Sequence, residues 1–348
     1  ATDHVFDNKI KVLTAPTQKT GKKIGVLGGG PAGLGCAAEL AQLGHAVTIF
    51  EKKPKAGGLN TYGIAMYKLT PETSLAEVAL VKSLGVEIRT GTEVGKDVTV
   101  AQLEKQYDAI FVGFGLGRTY RLGIPGEDLP EVYEALDFIE LLHTRPLDKV
   151  PVGKRVAVIG CGNTAIDAVT QAKRLGATDA TIIYRRGEAD MPAYPYEYEL
   201  AKKDGCSFLF HALPVEVVAE KGHMAGLKIA RTKINAQGRV EVIKGSETVE
   251  NFDMVIKALG QEPQAKLMQK LFPKVKLDKD GTVVRDPATR QTSVKHVFAG
   301  GDCVNGGREV VNAVAEGKKA ARGIHKFLLG EEVAGPVQGT RLGVKGKP

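Results

Sequence analysis

This sequence contains no tryptophan and only four cysteines, and none of the four lies close enough to another to form a CxxC pair. Cysteines at that spacing are the usual ligands of structural zinc and the usual reactive groups of dithiol oxidoreductases. Their absence argues against a zinc site and against dithiol chemistry of the thioredoxin reductase kind. Unpaired thiols are typical of a reducing compartment, so we expect a cytoplasmic protein. The cysteines are Cys36, Cys161, Cys206 and Cys303.

Long apolar runs and clustered basic residues are also missing. No segment approaches the roughly 20 apolar residues that a membrane-spanning helix needs, and no signal-like stretch precedes the first strand. The formal net charge is +8, but the basic residues are spread along the chain and are not interleaved with aromatic residues. The composition therefore predicts neither a membrane protein nor a nucleic-acid-binding protein. The excess positive charge suits phosphate-rich ligands or an acidic protein partner.

Glycine, in contrast, is abundant, with 42 residues, many of them in short runs after apolar segments. The first run follows a strand-like segment at residues 22–27 and precedes a helical pattern at residues 34–43. Residues 46–50 form a second apolar strand that ends at Glu51. Strand, glycine turn, helix and strand together predict a βαβ unit.

The first glycine turn reads GGGPAG and matches the dinucleotide motif GxGxxG between a strand and a helix. In this motif Gly28 permits the tight turn, Gly30 lets a pyrophosphate approach the backbone, and Gly33 lets the helix pack closely on the strand. The start of the helix offers unpaired N–H groups to the phosphates. Glu51 is placed to accept hydrogen bonds from ribose hydroxyls. The motif alone does not distinguish FAD from NAD, and a glycine turn can also serve packing only.

Two other segments favour FAD in this first unit. Gly58 and Leu59 follow Glu51 closely and suit a backbone that lies against a cofactor. Asp302 stands after a strand at residues 295–299 and before a helical run at residues 308–321. From there its carboxylate can accept a hydrogen bond from a ribityl hydroxyl, with the helix start facing the flavin. Taken alone, Asp302 is better explained as an ordinary helix cap or turn residue, and its setting is what favours the flavin contact.

The same pattern recurs later in the chain. Residues 155–159 predict a strand, residues 164–175 a helix and residues 181–184 the next strand, with the GxGxxA turn between the first two at Gly160, Gly162, Asn163 and Thr164. We therefore expect an α/β fold of two Rossmann-like dinucleotide-binding domains, the second inserted in the first. The expected FAD-binding domain comprises residues 1–121 and 285–348, and the NAD(P)H-binding domain comprises residues 122–284.

Two arginines follow the last of these strands, where an NAD-binding site usually carries a carboxylate. Arg185 and Arg186 cannot accept a hydrogen bond from a ribose hydroxyl, but they can bind a 2′-phosphate in a bidentate manner. NADPH is therefore favoured over NADH, with a solvated basic turn as the alternative. A further buried strand, residues 254–258, runs into Ala258, Leu259 and Gly260 and is expected near the same cofactor.

Six segments together resemble the flavin and pyridine-nucleotide domains of the glutamate synthase small subunit and dihydropyrimidine dehydrogenase family. The segments are GGGPAGL, FEKKPKAGGLNTYGIAMYKL, IGCGNTAID, YRRGEADMPA, KALGQEP and TRQTSVKHVFAGGD. The GGLNTYGIAMYKL stretch is most similar to the PreT-type subunit of bacterial dihydropyrimidine dehydrogenase. The resemblance covers almost the whole chain, and the combination of segments is more specific than any one of them.

The resemblance implies the residues that contact each cofactor. For FAD they are Gly30, Pro31, Ala32, Gly33, Leu34, Glu51, Lys52, Gly58, Leu59, Lys68, Gly301 and Asp302. For NAD(P)H they are Gly162, Asn163, Thr164, Arg185, Arg186, Ala258, Leu259 and Gly260. Some family members carry a further arginine for the 2′-phosphate where this chain has Pro192, so NADH remains open.

Hydride transfer between nicotinamide and flavin is chemistry of the cofactors, so the sequence predicts no catalytic side chain and no metal ligand. Family members carry an N-terminal domain for iron–sulfur clusters that the four cysteines here cannot form. The opening ATDHVFDN resembles the segment after that domain, so we expect a fragment whose electrons pass to an iron–sulfur domain or a partner catalytic subunit. A glutamate synthase-like electron donor, a disulfide reductase and a non-catalytic dinucleotide-binding regulator remain as alternatives.

Overall fold

The computed structural model describes residues 7–8, 13–14 and 16–333. The chain divides into two compact units. Unit 1 comprises Ala1–Thr61, Glu72–Gly117 and Pro263–Pro348, and unit 2 comprises Tyr62–Pro71 and Arg118–Glu262. Unit 2 is thus inserted in unit 1, as the sequence predicts. Most of the opening segment ATDHVFDN lies outside the described residues.

Unit 1 is built on a five-stranded parallel sheet in the order β14-β4-β1-β2-β3. The strands are β1 (Lys23–Leu27), β2 (Ala46–Phe50), β3 (Glu87–Arg89), β4 (Ala109–Val112) and β14 (Val297–Ala299). The chain runs from β1 through β2 to β3 on one side and continues with β4 and β14 on the other. The carboxyl ends of β1 and β4 therefore border a topological switch point, where ligands bind in open α/β sheets.

Helices cover this sheet. They are α1 (Pro31–Gln42), α2 (Leu59–Tyr62), α3 (Pro71–Lys82), α4 (Val100–Gln106), α8 (Ala265–Leu271), α9 (Asp302–Asn305) and α10 (Val310–Leu329). Helix α1 begins at Pro31 rather than at the predicted residue 34, because proline is favoured in the first helical turn. Helix α10 continues eight residues past its predicted end and stops before Gly330, which adopts a left-handed conformation.

Unit 2 repeats the parallel topology, with the strand order β5-β13-β6-β7-β8. Its strands are β5 (Val132–Glu134), β6 (Arg155–Ile159), β7 (Asp179–Tyr184), β8 (Ser207–Phe210) and β13 (Met254–Lys257). Its helices are α5 (Ala135–Thr144), α6 (Asn163–Arg174) and α7 (Pro195–Lys203), with 3₁₀ turns at Leu147–Lys149 and Glu188–Asp190. The switch point lies between the carboxyl ends of β6 and β13.

An antiparallel sheet, absent from the sequence prediction, completes unit 2. Strand β10 (His223–Ile234) pairs with β9 (Ala212–Glu220), β11 (Val240–Val242) and β12 (Thr248–Glu250). Leu227 and Ile229 of β10 join a buried cluster with Ala157, Ile159 and Val255 of the parallel sheet. The antiparallel sheet thus covers one face of the strands that carry the second glycine turn.

The observed unit boundaries differ from the predicted ones at residues 62–71, 118–121 and 263–284. Residues 263–284 belong to unit 1 because Met268, Leu271 and Phe272 are buried with Leu27 and Phe50 of its sheet. Apolar periodicity reports that a helix is buried but not which sheet buries it, so the sequence could not place this segment. In the part of the chain that the structure describes, no helix is both long enough and apolar enough to cross a membrane.

Candidate dinucleotide-binding sites

The first glycine turn is packed tightly against the end of β4. Gly28 has φ of 101°, a conformation that L side chains rarely adopt, and a Cβ there would lie 2.7 Å from the carbonyl oxygen of Gly113. A Cβ at Gly33 would lie 1.9 Å from the carbonyl oxygen of Gly28. Gly30, however, faces open space, because its Cβ would meet only the Cα of Gly58, at 3.7 Å. The turn is therefore crowded by protein at two glycines and open to a ligand at the third.

Glu51 orients its carboxylate through backbone hydrogen bonds. Its Oε2 accepts from the N–H of Gly29 at 2.8 Å, and its Oε1 accepts from the N–H of Lys53 at 2.8 Å. The side chain is buried at the carboxyl end of β2, beside the turn. Each carboxylate oxygen keeps a second lone pair, so Glu51 can still accept hydrogen bonds from two vicinal hydroxyls.

A pocket adjoins Glu51 and is lined entirely by unit 1. One wall is formed by strand ends and the other by the loop after β3, with residues of α8 closing it. Its lining residues are Leu27, Gly28, Phe50, Glu51, Lys52, Thr92, Glu93, Val94, Phe114, Gln264, Leu267 and Leu271. The Gln264 amide donates hydrogen bonds to the carbonyl oxygens of Phe114 and Leu116, both at 3.1 Å, which holds α8 in place. The apolar walls and the carboxylate fit an adenosine.

The remaining residues predicted to contact FAD in unit 1 occupy two places. Pro31, Ala32 and Leu34 lie in the first turns of α1, while the exposed Lys52 and Leu59 flank the 57–58 glycine pair. A Cβ at Gly301 would lie 2.7 Å from the Cβ of Ala32, so the 300–302 turn packs directly on α1. The structure thus brings the predicted Gly301 and Asp302 next to the first glycine turn, although they lie far apart in sequence.

Asp302 begins the short helix α9 and is partly buried. Burial raises the pKa of its carboxyl group, and a hydrogen bond from the N–H of Arg308 to Oδ1, at 3.2 Å, opposes that rise only in part. A carboxylate with one backbone partner in a partly buried place retains strong acceptor capacity. Asp302 is therefore suited to bind a polyol hydroxyl.

The second glycine turn repeats the first with one relaxation. Gly160 has φ of 123°, and its Cβ would lie 2.3 Å from the carbonyl oxygen of Ala258, just as Gly28 meets Gly113. Gly162 has no heavy atom within 4 Å of its Cβ position, which leaves the approach to the N-terminus of α6 open. Ala165 takes the place that Gly33 has in unit 1, and its methyl group is fully buried.

The loop at the end of the YRRGEADMPA segment closes over this turn. The N–H of Ala193 donates to the carbonyl oxygen of Cys161 at 3.2 Å, and the N–H of Tyr194 donates to Oδ1 of Asn163 at 3.1 Å. Asn163 is thus partly committed to holding the loop, whereas Thr164 is exposed. The end of that segment was quoted only for the family resemblance, and nothing in its residues indicated that its backbone would pack on the glycine turn.

The arginine pair lies at the carboxyl end of β7. Arg185 is exposed and Arg186 is half-buried, and neither forms an ion pair with a carboxylate among the described residues. Their backbone is held firmly, because the Thr232 hydroxyl donates to the carbonyl oxygen of Arg185 at 2.8 Å and the N–H of His211 donates to that of Arg186 at 3.0 Å. Two unpaired guanidinium groups on a fixed backbone form a ready anion site.

Strand β13 ends at Lys257, which forms a buried ion pair, and Ala258, Leu259 and Gly260 follow it directly. The Nζ of Lys257 lies 2.9 Å from Oε1 of Glu127, and the two side chains are 8% and 1% exposed. Burial alone would raise the pKa of Glu127, but hydrogen bonds from Lys257 and from the N–H groups of Leu122 and Gly123 outweigh it and lower the pKa. The pair fastens the 121–127 loop to the end of β13.

Lys68 lies in unit 2, unlike the other residues predicted to contact FAD. Its Nζ is 2.7 Å from Oδ1 of Asp167 and 2.7 Å from Oε1 of Glu197. The Tyr67 hydroxyl donates to the same Asp167 oxygen at 2.8 Å. Burial would lower the pKa of Lys68, but the two carboxylates outweigh it and raise the pKa. Lys68 therefore remains a cation, and a buried oxygen of Glu197, Oε2, has no hydrogen-bond partner.

All four cysteines are free and buried. Burial raises the pKa of Cys161 and of Cys303 to about 12 and that of Cys206 to about 11, and it raises the pKa of Cys36 as well. Thiolates are the nucleophiles of dithiol chemistry, so these thiols are poor reactants. No cluster of three or more potential metal ligands occurs within residues 7–8, 13–14 and 16–333.

The sequence is similar to that of known oxidoreductases. Residues 22–317 match the family described as pyridine nucleotide-disulphide oxidoreductase. The chain is 40% identical over 317 residues to the NADP(+)-dependent formate dehydrogenase subunit beta of Moorella thermoacetica, covering 89% of this chain and 44% of that protein. It is 38% identical over 346 residues to the glutamate synthase [NADPH] small chain of Escherichia coli, covering 94% and 73%.

Two solved structures share the fold at lower identity. FprA of Mycobacterium tuberculosis in complex with NADPH has a TM-score of 0.71 at 20% identity, covering 88% of this chain and 84% of that one. The thioredoxin reductase of T. acidophilum has a TM-score of 0.66 at 22% identity, covering 88% and 98%. These similarities confirm the predicted pair of Rossmann-like folds. The chain spans 44% and 50% of two of the curated relatives that it matches, so those proteins extend well beyond it.

Proposed function

Because this chain belongs to the pyridine nucleotide-disulphide oxidoreductase family, an oxidoreductase family that uses pyridine nucleotides, we propose that it binds FAD in unit 1 and NADPH in unit 2 and reduces the flavin with the nicotinamide. The observation that carries the proposal is the repeated switch-point turn. Each unit presents one open glycine, Gly30 or Gly162, at the tip of a helix. Each turn therefore offers N–H groups and a positive dipole end to a pyrophosphate.

FAD is assigned to unit 1 from the chemistry around its turn. The bound pair of cofactors would supply the hydride transfer, with the nicotinamide as donor and the flavin as acceptor. Glu51 fits the adenosine ribose, the pocket that includes Phe50, Val94 and Gln264 fits the adenine, and Asp302 fits a ribityl hydroxyl. Gly58 and Leu59 give that cofactor a close approach to the backbone.

NADPH is assigned to unit 2 because of charge. The residue type at the end of the second strand separates the two nicotinamide cofactors: a carboxylate favours NADH, and arginine favours NADPH. Unit 2 has Arg185 and Arg186 at this place, both without a carboxylate partner among the described residues. Ala258, Leu259 and Gly260, on the other side of the turn, would border the rest of the nucleotide.

The proposal also covers the electron acceptor and the substrate of the whole enzyme. We assign the onward electrons to an iron–sulfur domain or a catalytic subunit, because glutamate synthase small chains and the formate dehydrogenase subunit beta are named as parts of larger enzymes. Dihydropyrimidine dehydrogenase chemistry of the PreT type is favoured for the whole enzyme by the GGLNTYGIAMYKL segment, with a glutamate synthase-like donor as the second candidate. Unpaired buried cysteines fit a cytoplasmic location.

Anaerobic mixing of the FAD-reconstituted chain with NADPH tests the proposal. Loss of the visible flavin absorbance band, faster with NADPH than with NADH, is the expected result. A chain that binds both cofactors but keeps its flavin band would instead be a dinucleotide-binding regulator. A chain that takes up no flavin at all would contradict the proposal outright.

The disulfide reductase alternative has its own test. Since all four thiols are buried and their pKa values are raised, NADPH-dependent reduction of a disulfide substrate should be absent. The variant Cys161→Ser should bleach its flavin with NADPH as fast as the unmodified chain. Disulfide reduction by the unmodified chain that is lost in Cys161→Ser would instead support dithiol chemistry.

A further inference from the structure

His211 lies directly beside the arginine pair of unit 2. Strands β7 and β8 are parallel neighbours, and Tyr184 and Phe210 are paired at their carboxyl ends. Arg185 follows Tyr184, and His211 follows Phe210. Residues that follow the ends of adjacent parallel strands emerge at the same edge of the sheet. A histidine therefore stands in the row where the 2′-phosphate is expected.

The backbone of His211 adopts an unusual conformation that its neighbours enforce. Its φ is 53°, in the left-handed region, which is uncommon for residues other than glycine. Its N–H donates to the carbonyl oxygen of Arg186 at 3.0 Å, and its carbonyl oxygen accepts from the N–H of Thr232 at 2.8 Å. Backbone strain of this kind persists where surrounding contacts hold it, and it is common at functional sites.

The imidazole ring rests against Gly187. A Cβ built on Gly187 would lie 3.1 Å from Nε2 and 3.3 Å from Cε1 of His211. Gly187 has φ of −82°, which any residue can adopt, so its own backbone does not require glycine. A methyl group at this position would therefore require the ring to shift by a few tenths of an ångström. Meanwhile, His211 remains exposed, so its ring can reach a ligand.

We propose that His211 is a specificity residue that donates a hydrogen bond to the 2′-phosphate of the pyridine nucleotide, together with Arg185 and Arg186. An imidazole carries at least one N–H donor whether neutral or protonated, so the contact needs no change of charge. Gly187 serves this site by leaving room for the ring. The inference rests on the proposed binding of NADPH and adds a residue from a different strand to that site.

Calorimetric titration of the full chain with 2′,5′-ADP and with 5′-ADP tests the proposal. In His211→Asn, a substitution that tolerates the left-handed backbone and whose short amide does not extend to the position of Nε2, the Kd for 2′,5′-ADP should rise about tenfold, the usual effect of losing a hydrogen bond to a charged group. The Kd for 5′-ADP should stay within about twofold. The matched control is Lys221→Asn, because Lys221 has the same φ of 53° and also loses a basic side chain. It should change neither Kd.

Gly187→Ala gives a second test that removes no ligand-binding group. Its methyl group would displace the His211 ring and should weaken 2′,5′-ADP binding, but it should add nothing in a chain that already carries His211→Asn. Equal effects on both nucleotides, or additive effects of the two substitutions, would overturn the role of His211. If the unmodified chain shows no preference for 2′,5′-ADP, NADPH binding itself fails. If Arg185→Ala with Arg186→Ala removes the preference while His211→Asn keeps it, only the role of His211 fails.

Discussion

The two units place the same turn on the same sheet topology and differ in how tightly protein surrounds it. In unit 1 the turn meets the backbone of the next strand at Gly113 and needs glycine again at Gly33, whose Cβ would collide with Gly28. In unit 2 the contact with Ala258 is kept, but Ala165 is accepted where unit 1 has Gly33. Helix α1 therefore approaches its strand more closely than α6 does. The comparison shows that the open central glycine is the shared requirement and that helix spacing can vary.

The strand beside each turn also ends differently. Val112 of β4 pairs with Leu27, and at the same register Lys257 of β13 pairs with Ile159. Unit 1 thus ends this strand with an apolar side chain, whereas unit 2 ends it with a buried cation whose partner is Glu127. An ion pair in the interior depends on both partners, because either charge alone is costly to bury.

The largest expected effect is on this ion pair. Glu127→Gln should lower the free energy of unfolding by about 3 kcal/mol, because it leaves Lys257 buried without a countercharge. Chemical denaturation measures the change. The neighbouring Asp128→Asn is the control: Asp128 pairs with Arg121 on the surface, so its loss should lower the free energy of unfolding far less. Similar values for both variants would show that the buried pair has no special role in unit 2.

The next test concerns the residue that follows the second strand of each βαβ unit, which is Glu51 in unit 1 and the arginine pair in unit 2. Arg185→Ala with Arg186→Ala should weaken NADPH binding about 100-fold, since each lost charge-assisted hydrogen bond contributes roughly tenfold, while NADH binding stays nearly constant. The control is Arg155→Ala, because Arg155 lies at the amino end of β6, away from the carboxyl ends of the strands. It should change neither Kd. An equal loss for both nucleotides would mean that the arginines do not recognise the 2′-phosphate.

Exchanging the third motif residue tests the difference in helix spacing. Gly33→Ala should lower the free energy of unfolding by about 2 kcal/mol, because its methyl group would overlap the carbonyl oxygen of Gly28. Ala165→Gly should cost about 1 kcal/mol through the lower helix propensity of glycine. Denaturation curves of both variants provide the comparison. A neutral effect of Gly33→Ala would contradict the inference that α1 lies closer to its strand than α6 does.

A pH dependence should arise in unit 1 and is expected to be the smallest effect. Burial, with the charge of His325, lowers the pKa of His45 to about 4, against the opposing effect of Asp108. The unfolded chain then binds a proton more readily than the folded one. Stability is therefore full above the ordinary histidine pKa and falls as the pH drops towards 4, by about 1 kcal/mol between pH 7 and 5.5.

Denaturation at these two pH values should show that loss in the unmodified chain. In His45→Gln the loss should be smaller by the same amount. His45 is bonded to Thr20 and to His325, so the variant's lower stability at neutral pH is expected and does not enter the comparison. An unchanged pH dependence in the variant would remove His45 as the cause.

Much of both sites is local in sequence and could be predicted from it. Gly28, Gly30 and Gly33 stand within one turn, and the strands on either side match the predicted segments closely. Arg185 and Arg186 follow their strand directly. The distant Asp302 was singled out because it stands between a strand end and a helical run, and the family resemblance implied the same contact. The structure brings its turn against Ala32.

The rest depends on contacts that no local pattern encodes. Gln264 and Leu271 line the pocket of unit 1 although the chain reaches them only after passing through unit 2. The position of His211 beside the arginines depends on the pairing of β7 with β8, and its ring lies in the space left by Gly187. Neither contact can be read from the local sequence. The four antiparallel strands were missed because their strict alternation of apolar and polar residues lasts only about three residues at a time, as at residues 227–229 and 240–242, which is shorter than the strand pattern requires.

The most direct test of two separate cofactor sites is a crossed pair of substitutions, Gly30→Ala and Gly162→Ala. Both glycines have ordinary backbone angles and open space at the Cβ position, so both variants should fold. Flavin content and NADPH affinity are then measured for each purified chain. We expect that Gly30→Ala loses FAD and still binds NADPH, and that Gly162→Ala keeps FAD and loses NADPH. Loss of the same cofactor in both variants would contradict this expectation.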